Sequence, residues 1–196
     1  MIPILDYDVQ HDMESEDIFM NQQAENGIRE MNHVRTIAMV GILTALVYVF
    51  TAFVNIRLPF AGNGGLIHLG NVPLFLGAVI YGKKTGAIAG GVGMGLFDIT
   101  SGWLPWAPFT IVIAGLMGYV VGMIAEKKRG IGWYAIAIAL ACVIKIVGYY
   151  IAEVILYGNW IAPFGSVPGN LLQILSAAIL VLPIAERVRK AIDKIR

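Results

Sequence analysis

The stretch HLGNVPLFLGAVIYGKKTGAIAGGVGMGLFDIT spans residues 68–100 of the chain. It holds two apolar segments, at about residues 69–82 and 85–100, on either side of Lys83 and Lys84. A membrane-crossing helix needs roughly 20 residues, or somewhat fewer when its polar ends dip inward. The stretch therefore predicts two short transmembrane helices joined by a basic turn. A single re-entrant hairpin buried in protein is the alternative.

The rest of the chain adds four candidate spans, at about residues 34–54, 109–125, 133–157 and 167–185. Hydrophobic residues make up 58% of the chain and charged residues 14%, against roughly 45–50% and about 25% in soluble domains. A soluble fold of this length could not bury that excess. We therefore expect an all-α integral membrane protein, a compact bundle of six transmembrane helices.

The basic residues predict the orientation of these spans. Twelve of the 14 Lys and Arg residues lie near the start of the first span, between the second and third, between the fourth and fifth, or after the sixth. Loops rich in Lys and Arg stay in the cytoplasm. Six spans therefore place both the N and C termini in the cytoplasm, whereas five spans would scatter these charges over both sides.

Three regions follow from this layout. Residues 1–33 form a polar, acidic cytoplasmic leader, residues 34–189 the six-helix membrane domain that would bind a substrate, and residues 190–196 a basic cytoplasmic tail. The leader lacks the basic start and apolar stretch of a signal peptide. We expect it to be a tail or a short interfacial helix.

The sequence offers little support for several classes of function. A net charge of +1 does not provide the basic face of a nucleic-acid binder. The histidines are dispersed and predict no metal site, and no serine or cysteine has a general base nearby. Residues 77–84 resemble a P-loop but close an apolar helix, so no nucleotide site is predicted. We expect a protein that is not an enzyme and needs no cofactor.

Polar and aromatic residues gather toward the outer ends of the later helices. Lys145, Tyr149 and Glu153 recur every four residues and so share one helix face. Ionisable groups inside a membrane are costly and usually face a cavity or a partner, although inter-helix salt bridges would also explain them. The candidate substrate-binding residues are Asp98, Trp103, Trp106, Lys145, Tyr149, Glu153, Asn170, Gln173, His68 and Asn71.

Two loops could complete such a site. Trp103 and Trp106 lie in a Gly/Pro loop, where they could stack on a flat ring, although tryptophans also form belts at membrane interfaces in any membrane protein. Residues 63–65, Asn-Gly-Gly, have the flexibility of a lid, although a glycine loop is usually a turn.

The stretch of residues 68–100, with six short spans, a Gly-rich third helix and an outer Trp/Pro loop, resembles the substrate-binding S components of energy-coupling factor (ECF) vitamin transporters. The resemblance covers about residues 32–189. It implies a subunit in the bacterial plasma membrane that captures a vitamin or precursor from outside. Its partners would be a transmembrane coupling protein (T component) and two cytoplasmic ATPases.

The resemblance also bears on the cargo and the docking face. The sequence looks closest to members assigned to pyridoxine-like or hydroxymethylpyrimidine-like rings, and related sequences are labelled riboflavin transporters. The family's first helix docks on the coupling protein through Ala-x-x-x-Ala. Here the residue four positions after Ala38 is Ile42 rather than alanine, whereas Gly41 and Ala45 form a pair of small residues a turn later. The resemblance therefore implies a displaced docking face at Ala38, Gly41 and Ala45.

Two alternatives come from other classes of protein. An autonomous secondary transporter or channel for a small solute often shows inverted repeats, and no convincing internal repeat is evident in this sequence. A membrane enzyme acting on lipids is the other alternative, for which the sequence offers no obvious catalytic residue.

Overall fold

The computed structural model describes residues 5–57 and 66–194. Most of these residues belong to six α-helices: α1 (Leu5–Phe53), α2 (Asn71–Tyr81), α3 (Lys83–Thr100), α4 (Ala107–Lys127), α5 (Ile131–Tyr157) and α6 (Val167–Asp193). Two short strands, β1 (Asn55–Arg57) and β2 (Leu66–His68), pair in an antiparallel sheet. A 3₁₀ helix, Ala162–Gly165, precedes α6.

Each predicted span corresponds to one of these helices. Two features differ from the prediction. First, α1 begins at Leu5 rather than near Val34, because the described part of the leader continues the helix instead of forming a separate short one. Second, the all-α prediction did not include the small sheet, which holds the end of α1 close to the start of α2 through a hydrogen bond from the Leu69 N–H to the Val54 carbonyl. The loop at residues 63–65 lies outside the described residues.

Four described stretches are long and apolar enough to cross a membrane: Phe19–Phe53, Ala107–Lys127, Ile131–Tyr157 and Ala162–Ile192. The helix α2 is apolar but shorter, at 11 residues. The helix α3 carries five glycines, two lysines and an aspartate, and is not among the four. Many Ile, Leu and Val side chains on the long helices stay exposed, as expected where lipid rather than water is the surrounding solvent.

The chain divides into two compact units, Met1–Met39 and Val40–Arg196. In the first, the described residues form the N-terminal part of α1, where Arg29 and Glu25 make an exposed pair at 3.9 Å. The second unit contains the rest of α1, both strands and helices α2 to α6. The candidate substrate-binding residues all belong to this second unit.

Glycines bring α3 into close contact with α4. A Cβ atom built on Gly86 would lie 2.7 Å from the Gly118 carbonyl oxygen, and one built on Gly90 would lie 2.7 Å from the Ala114 carbonyl oxygen. Only glycine leaves room for such an approach, as in the small-x-x-x-small contacts of membrane helices. The backbone of α4 therefore packs directly on α3.

Where α3 begins and α4 ends, charged side chains tie four helices together. The guanidinium of Arg189 donates hydrogen bonds to the carbonyl oxygens of Val79 (2.6 Å) and Ala125 (2.9 Å), near the C-terminal ends of α2 and α4. The carboxylate of Glu126 accepts a hydrogen bond from the backbone N–H of Lys83 (2.9 Å) and pairs with its ammonium (3.0 Å) at the start of α3. Positive charge at helix C-termini and negative charge at an N-terminus complement the helix dipoles.

We expect Gly118→Ala to destabilise the protein, because the new methyl group would collide with the backbone of Gly86. Overpacking of this kind costs about 1–3 kcal/mol. The measurement is thermal unfolding of the purified protein in detergent. Gly115→Ala on the same helix is the matched control, since its nearest neighbour outside α4 would be 3.5 Å away. Equal stability of the two variants would contradict the close α3–α4 contact.

Candidate functional site

A pocket opens between α3, α4, α5, α6 and β2, at the end of the bundle opposite Arg189. Its empty space, counted with its opening to solvent, is about 490 Å³. The residues that line it are Leu66, His68, Asp98, Trp103, Trp106, Thr110, Lys145, Tyr149, Glu153, Asn170 and Gln173.

Nine of the ten residues proposed from the sequence line this pocket. The exception is Asn71, which is fully buried at the start of α2 and whose side-chain amide has no hydrogen-bond partner among the described residues. Two lining residues, Leu66 and Thr110, were not predicted. A single threonine in the first turn of an apolar helix gives no pattern that would have singled out Thr110.

Local structure explains how α3 presents its end to the pocket. The helix finishes at Thr100, and Gly102 adopts a positive φ of 86°. The N–H of Trp103 then donates back to the carbonyl oxygen of Asp98 at 2.9 Å, the return bond of a Schellman motif. The chain therefore reverses at this glycine and places the loop that carries Trp103 and Trp106 beside Asp98.

The ammonium of Lys145 lies at the centre of the polar wall. Only 1% of this residue is exposed, and its Nζ donates to Oε1 of Gln173 at 2.8 Å. It also lies 5.6 Å from the centre of the Tyr149 ring, a cation–π distance. No carboxylate of the described residues lies within 4.0 Å of it, so the inter-helix salt bridge considered above is not formed there.

The side chain of Gln173 connects this lysine to the sheet. Its Nε2 donates to the backbone carbonyl oxygen of Leu66 in β2 at 2.7 Å. Since a carbonyl only accepts hydrogen bonds, the Gln173 amide must turn its NH₂ toward Leu66 and its oxygen toward Lys145. The amide orientation is therefore fixed from both sides.

A second polar chain lies on the same wall as Asp98. The hydroxyl of Tyr149 donates to the Thr110 hydroxyl at 3.1 Å, and both residues line the pocket together with Asp98. The other carboxylic acid of the pocket, Glu153, lies on α5 and lines the same cavity. Both acids keep acceptor capacity that faces the cavity, because a carboxylate can accept several hydrogen bonds.

The imidazole of His68 lies beside these groups. Burial lowers its pKa well below the ordinary value, and the nearby Lys145 ammonium lowers it further. Its Nδ1 accepts a hydrogen bond from the N–H of Gly70 at 3.2 Å. The neutral ring therefore carries its proton on Nε2.

Aromatic rings form the remaining wall. Trp103 and Trp106 pack edge to face with ring centres 5.3 Å apart, and Trp106 meets Tyr157 in the same way at 6.0 Å. Such a cluster offers flat apolar surface beside hydrogen-bonding groups. The arrangement is therefore suited to binding a small aromatic molecule that also carries polar substituents.

The predicted docking residues lie on α1 and do not contribute to the pocket. Ala38, Gly41 and Ala45 are exposed. A Cβ atom added to Gly41 would meet nothing within 4 Å among the described residues. The small-residue face of α1 is thus uncovered at Gly41.

Comparison with known proteins assigns the family. The model of the ECF-type riboflavin transporter S component matches residues 31–190. The chain belongs to the ECF S components. As a member of that family it is a substrate-binding subunit for vitamin or precursor transport, which is not an enzyme class.

Relatives and a solved structure agree with this assignment. An uncharacterised protein of Pyrococcus woesei is 31% identical over 128 residues, which cover 64% of this S component and 83% of that protein. The thiamine precursor transporter HmpT of Lactococcus lactis is 24% identical, over 82% and 93% of the two chains. The solved S component of a bacterial ECF transporter has the same fold, with a TM-score of 0.66 at 18% identity over 82% of this chain and 98% of that one.

We expect Gln173→Ala to destabilise this S component, because the change leaves the Lys145 ammonium and the Leu66 carbonyl oxygen without their hydrogen-bond partner. The expected loss is about 1–3 kcal/mol, measured by thermal unfolding in detergent. Asn170→Ala on the same helix is the control, since that amide lines the pocket but makes no side-chain hydrogen bond to the described residues. Equal losses would show that the two bonds contribute nothing specific.

Proposed function

We propose that this S component captures a small, flat, hydroxylated heteroaromatic vitamin or precursor in the pocket from outside the cell. The first candidate for this cargo is a pyridoxine-like or hydroxymethylpyrimidine-like ring, and riboflavin is the second candidate. The observation that carries the proposal is the meeting of two tryptophans with a buried lysine and two carboxylic acids around one cavity. Aromatic walls with a few convergent polar groups are typical of small-molecule sites.

Each group has a role in this proposal. Trp103 and Trp106 stack on the ring, and the Lys145 ammonium donates to a ring nitrogen or a hydroxyl oxygen. Asp98 and Glu153 accept hydrogen bonds from hydroxyl or amino substituents. The remaining polar lining residues form hydrogen bonds to the edge of the ring or keep the residues named above in position. They are His68, Tyr149, Asn170 and Gln173. Asn71 makes no contact with the cargo, since it does not line the pocket.

Two named similarities support the choice of cargo. The matching family is described as a riboflavin transporter component, and the similar HmpT protein is described as a thiamine precursor transporter. Both kinds of ring are aromatic heterocycles with polar substituents, which the pocket chemistry fits. The binding test therefore includes both.

We expect calorimetric titration of the detergent-purified protein to show binding of at least one of pyridoxine, hydroxymethylpyrimidine and riboflavin. The triple variant Lys145→Ala, Glu153→Ala, Trp103→Ala should weaken that binding by about 100-fold or more, since each hydrogen bond to a charged group contributes about 1.5–3 kcal/mol.

A triple variant of the same composition is the control. Lys190→Ala, Glu186→Ala, Trp160→Ala removes an ion pair of 2.8 Å on α6 and a tryptophan that is 70% exposed, all outside the pocket. Its affinity should equal that of the wild type. Unchanged affinity of the pocket variant would remove this cavity as the binding site.

We further propose that import is driven by ATP and that the protein works with a T component and two cytoplasmic ATPases. In this arrangement residues 1–33 and 190–196 lie in the cytoplasm, on the side where the basic turns gather. The exposed small residues Ala38, Gly41 and Ala45 support a docking face on α1, because small residues let another helix approach closely.

We expect the double variant Gly41→Leu, Ala45→Leu to bind cargo normally but to lower ATP-dependent uptake by about tenfold or more in vesicles that contain the whole transporter, because large side chains block close helix contact. Ile42→Leu, which keeps the side-chain size at an exposed position of the same helix, should transport normally. Uptake by vesicles holding this protein alone, driven by an ion gradient, would instead favour the autonomous secondary transporter or channel.

A further inference from the structure

The ionisable groups on the pocket wall do not balance. Lys145 contributes one ammonium, whereas Asp98 and Glu153 contribute two carboxyl groups, and the exposed fractions of the latter two are only 9% and 3%. Buried charges are tolerated in proteins when they are paired or well hydrogen-bonded. When both acids are ionised, one ammonium offsets only one of them.

The other titratable groups facing the pocket do not supply the missing positive charge. His68, from β2, is neutral because its Nδ1 accepts a backbone hydrogen bond. On α5, the Tyr149 hydroxyl keeps the proton that it donates to Thr110. The lining residues from α4 and α6 are uncharged polar side chains.

The ammonium of Lys145 also does not neutralise either acid directly. Its hydrogen-bond partner is the uncharged amide of Gln173. Glu153 lies two turns further along α5, about 12 Å away at the backbone by helix geometry, and Asp98 makes no ion pair with Lys145 within 4.0 Å. Both carboxyl groups therefore have acceptor capacity directed to whatever fills the cavity.

We propose that the pocket selects a cargo whose flat ring carries one positive charge, as a pyridinium or a protonated aminopyrimidine does. This inference rests on the function proposed above and specifies its substrate class. A cationic ring together with Lys145 offsets the two carboxyl groups. Trp103 and Trp106 favour the same ligand, since a cation over an indole face is attracted by the ring quadrupole.

Two probes of equal shape test the inference. One is the N-methylated cation of meta-hydroxymethylpyridine, and the other is meta-methylbenzyl alcohol, in which a carbon replaces the charged nitrogen. We expect the cation to bind the wild-type protein about tenfold or more tightly than the neutral probe, because only the cation can pair with the two carboxylates and be attracted to the indole faces. Calorimetric titration at millimolar probe concentrations measures both affinities.

Single substitutions locate the source of the preference. Asp98→Asn and Glu153→Gln each remove one negative charge with little change of shape and should lower the cation-to-neutral ratio by severalfold, whereas Lys145→Met should raise it. The control is Glu186→Gln on α6, outside the pocket, which should leave the ratio unchanged. The wild-type comparison needs no substitution, so a variant that fails to fold does not remove the test.

The possible results separate this inference from the proposed function. If vitamins bind but the cation has no advantage over the neutral probe, or if neither probe binds, the charge inference is overturned while the vitamin pocket stands. A cation preference that survives both Asp98→Asn and Glu153→Gln would also overturn it. If no vitamin binds in the titrations described above, the proposed function itself fails.

Discussion

The hydrogen bond between the Lys145 ammonium and the Gln173 amide oxygen is the contact on which the pocket depends. A lysine deep in a membrane protein is costly unless its charge is solvated by protein groups. Here that solvation comes from an uncharged amide and the face of an aromatic ring, rather than from a carboxylate. The acids on the same wall are consequently left to interact with a cargo, and the pocket keeps polar groups that a fully paired core would have used internally.

The geometry of this wall is in turn set by packing at a distance from it. Glycines let the backbones of α3 and α4 touch, so the loop of Trp103 and Trp106 joins two closely packed helices. Arg189 and Glu126 fasten the opposite end, where they meet backbone groups of α2, α3 and α4. With one end fixed by charges and the middle fixed by glycines, the open space falls at the other end of the helices.

The sequence predicts the helices and most of the pocket because both follow regular spacing. Lys145, Tyr149 and Glu153 recur every four residues, so any helix there puts them on one face. The hairpin strands have three residues each, too few for an alternating pattern. Leu66 contributes a backbone carbonyl to the polar network, and no side-chain pattern encodes that contribution. The leader reads as a polar tail, although helix formers such as Glu, Gln, Met and Ala continue α1 through its described residues.

The same backbone carbonyl links the pocket to the helix that carries the proposed docking face. Gln173 holds Leu66, Leu66 pairs with Arg57 across the sheet, and β1 follows directly on α1. Asn55 closes the end of α1 by donating to the Thr51 and Ala52 carbonyl oxygens. A cargo that competes with Gln173 for the Lys145 ammonium therefore acts on a side chain bonded to this hairpin. The small sheet, which the all-α prediction omits, thus joins the cargo site to α1, in addition to the direct contact of α1 with α3.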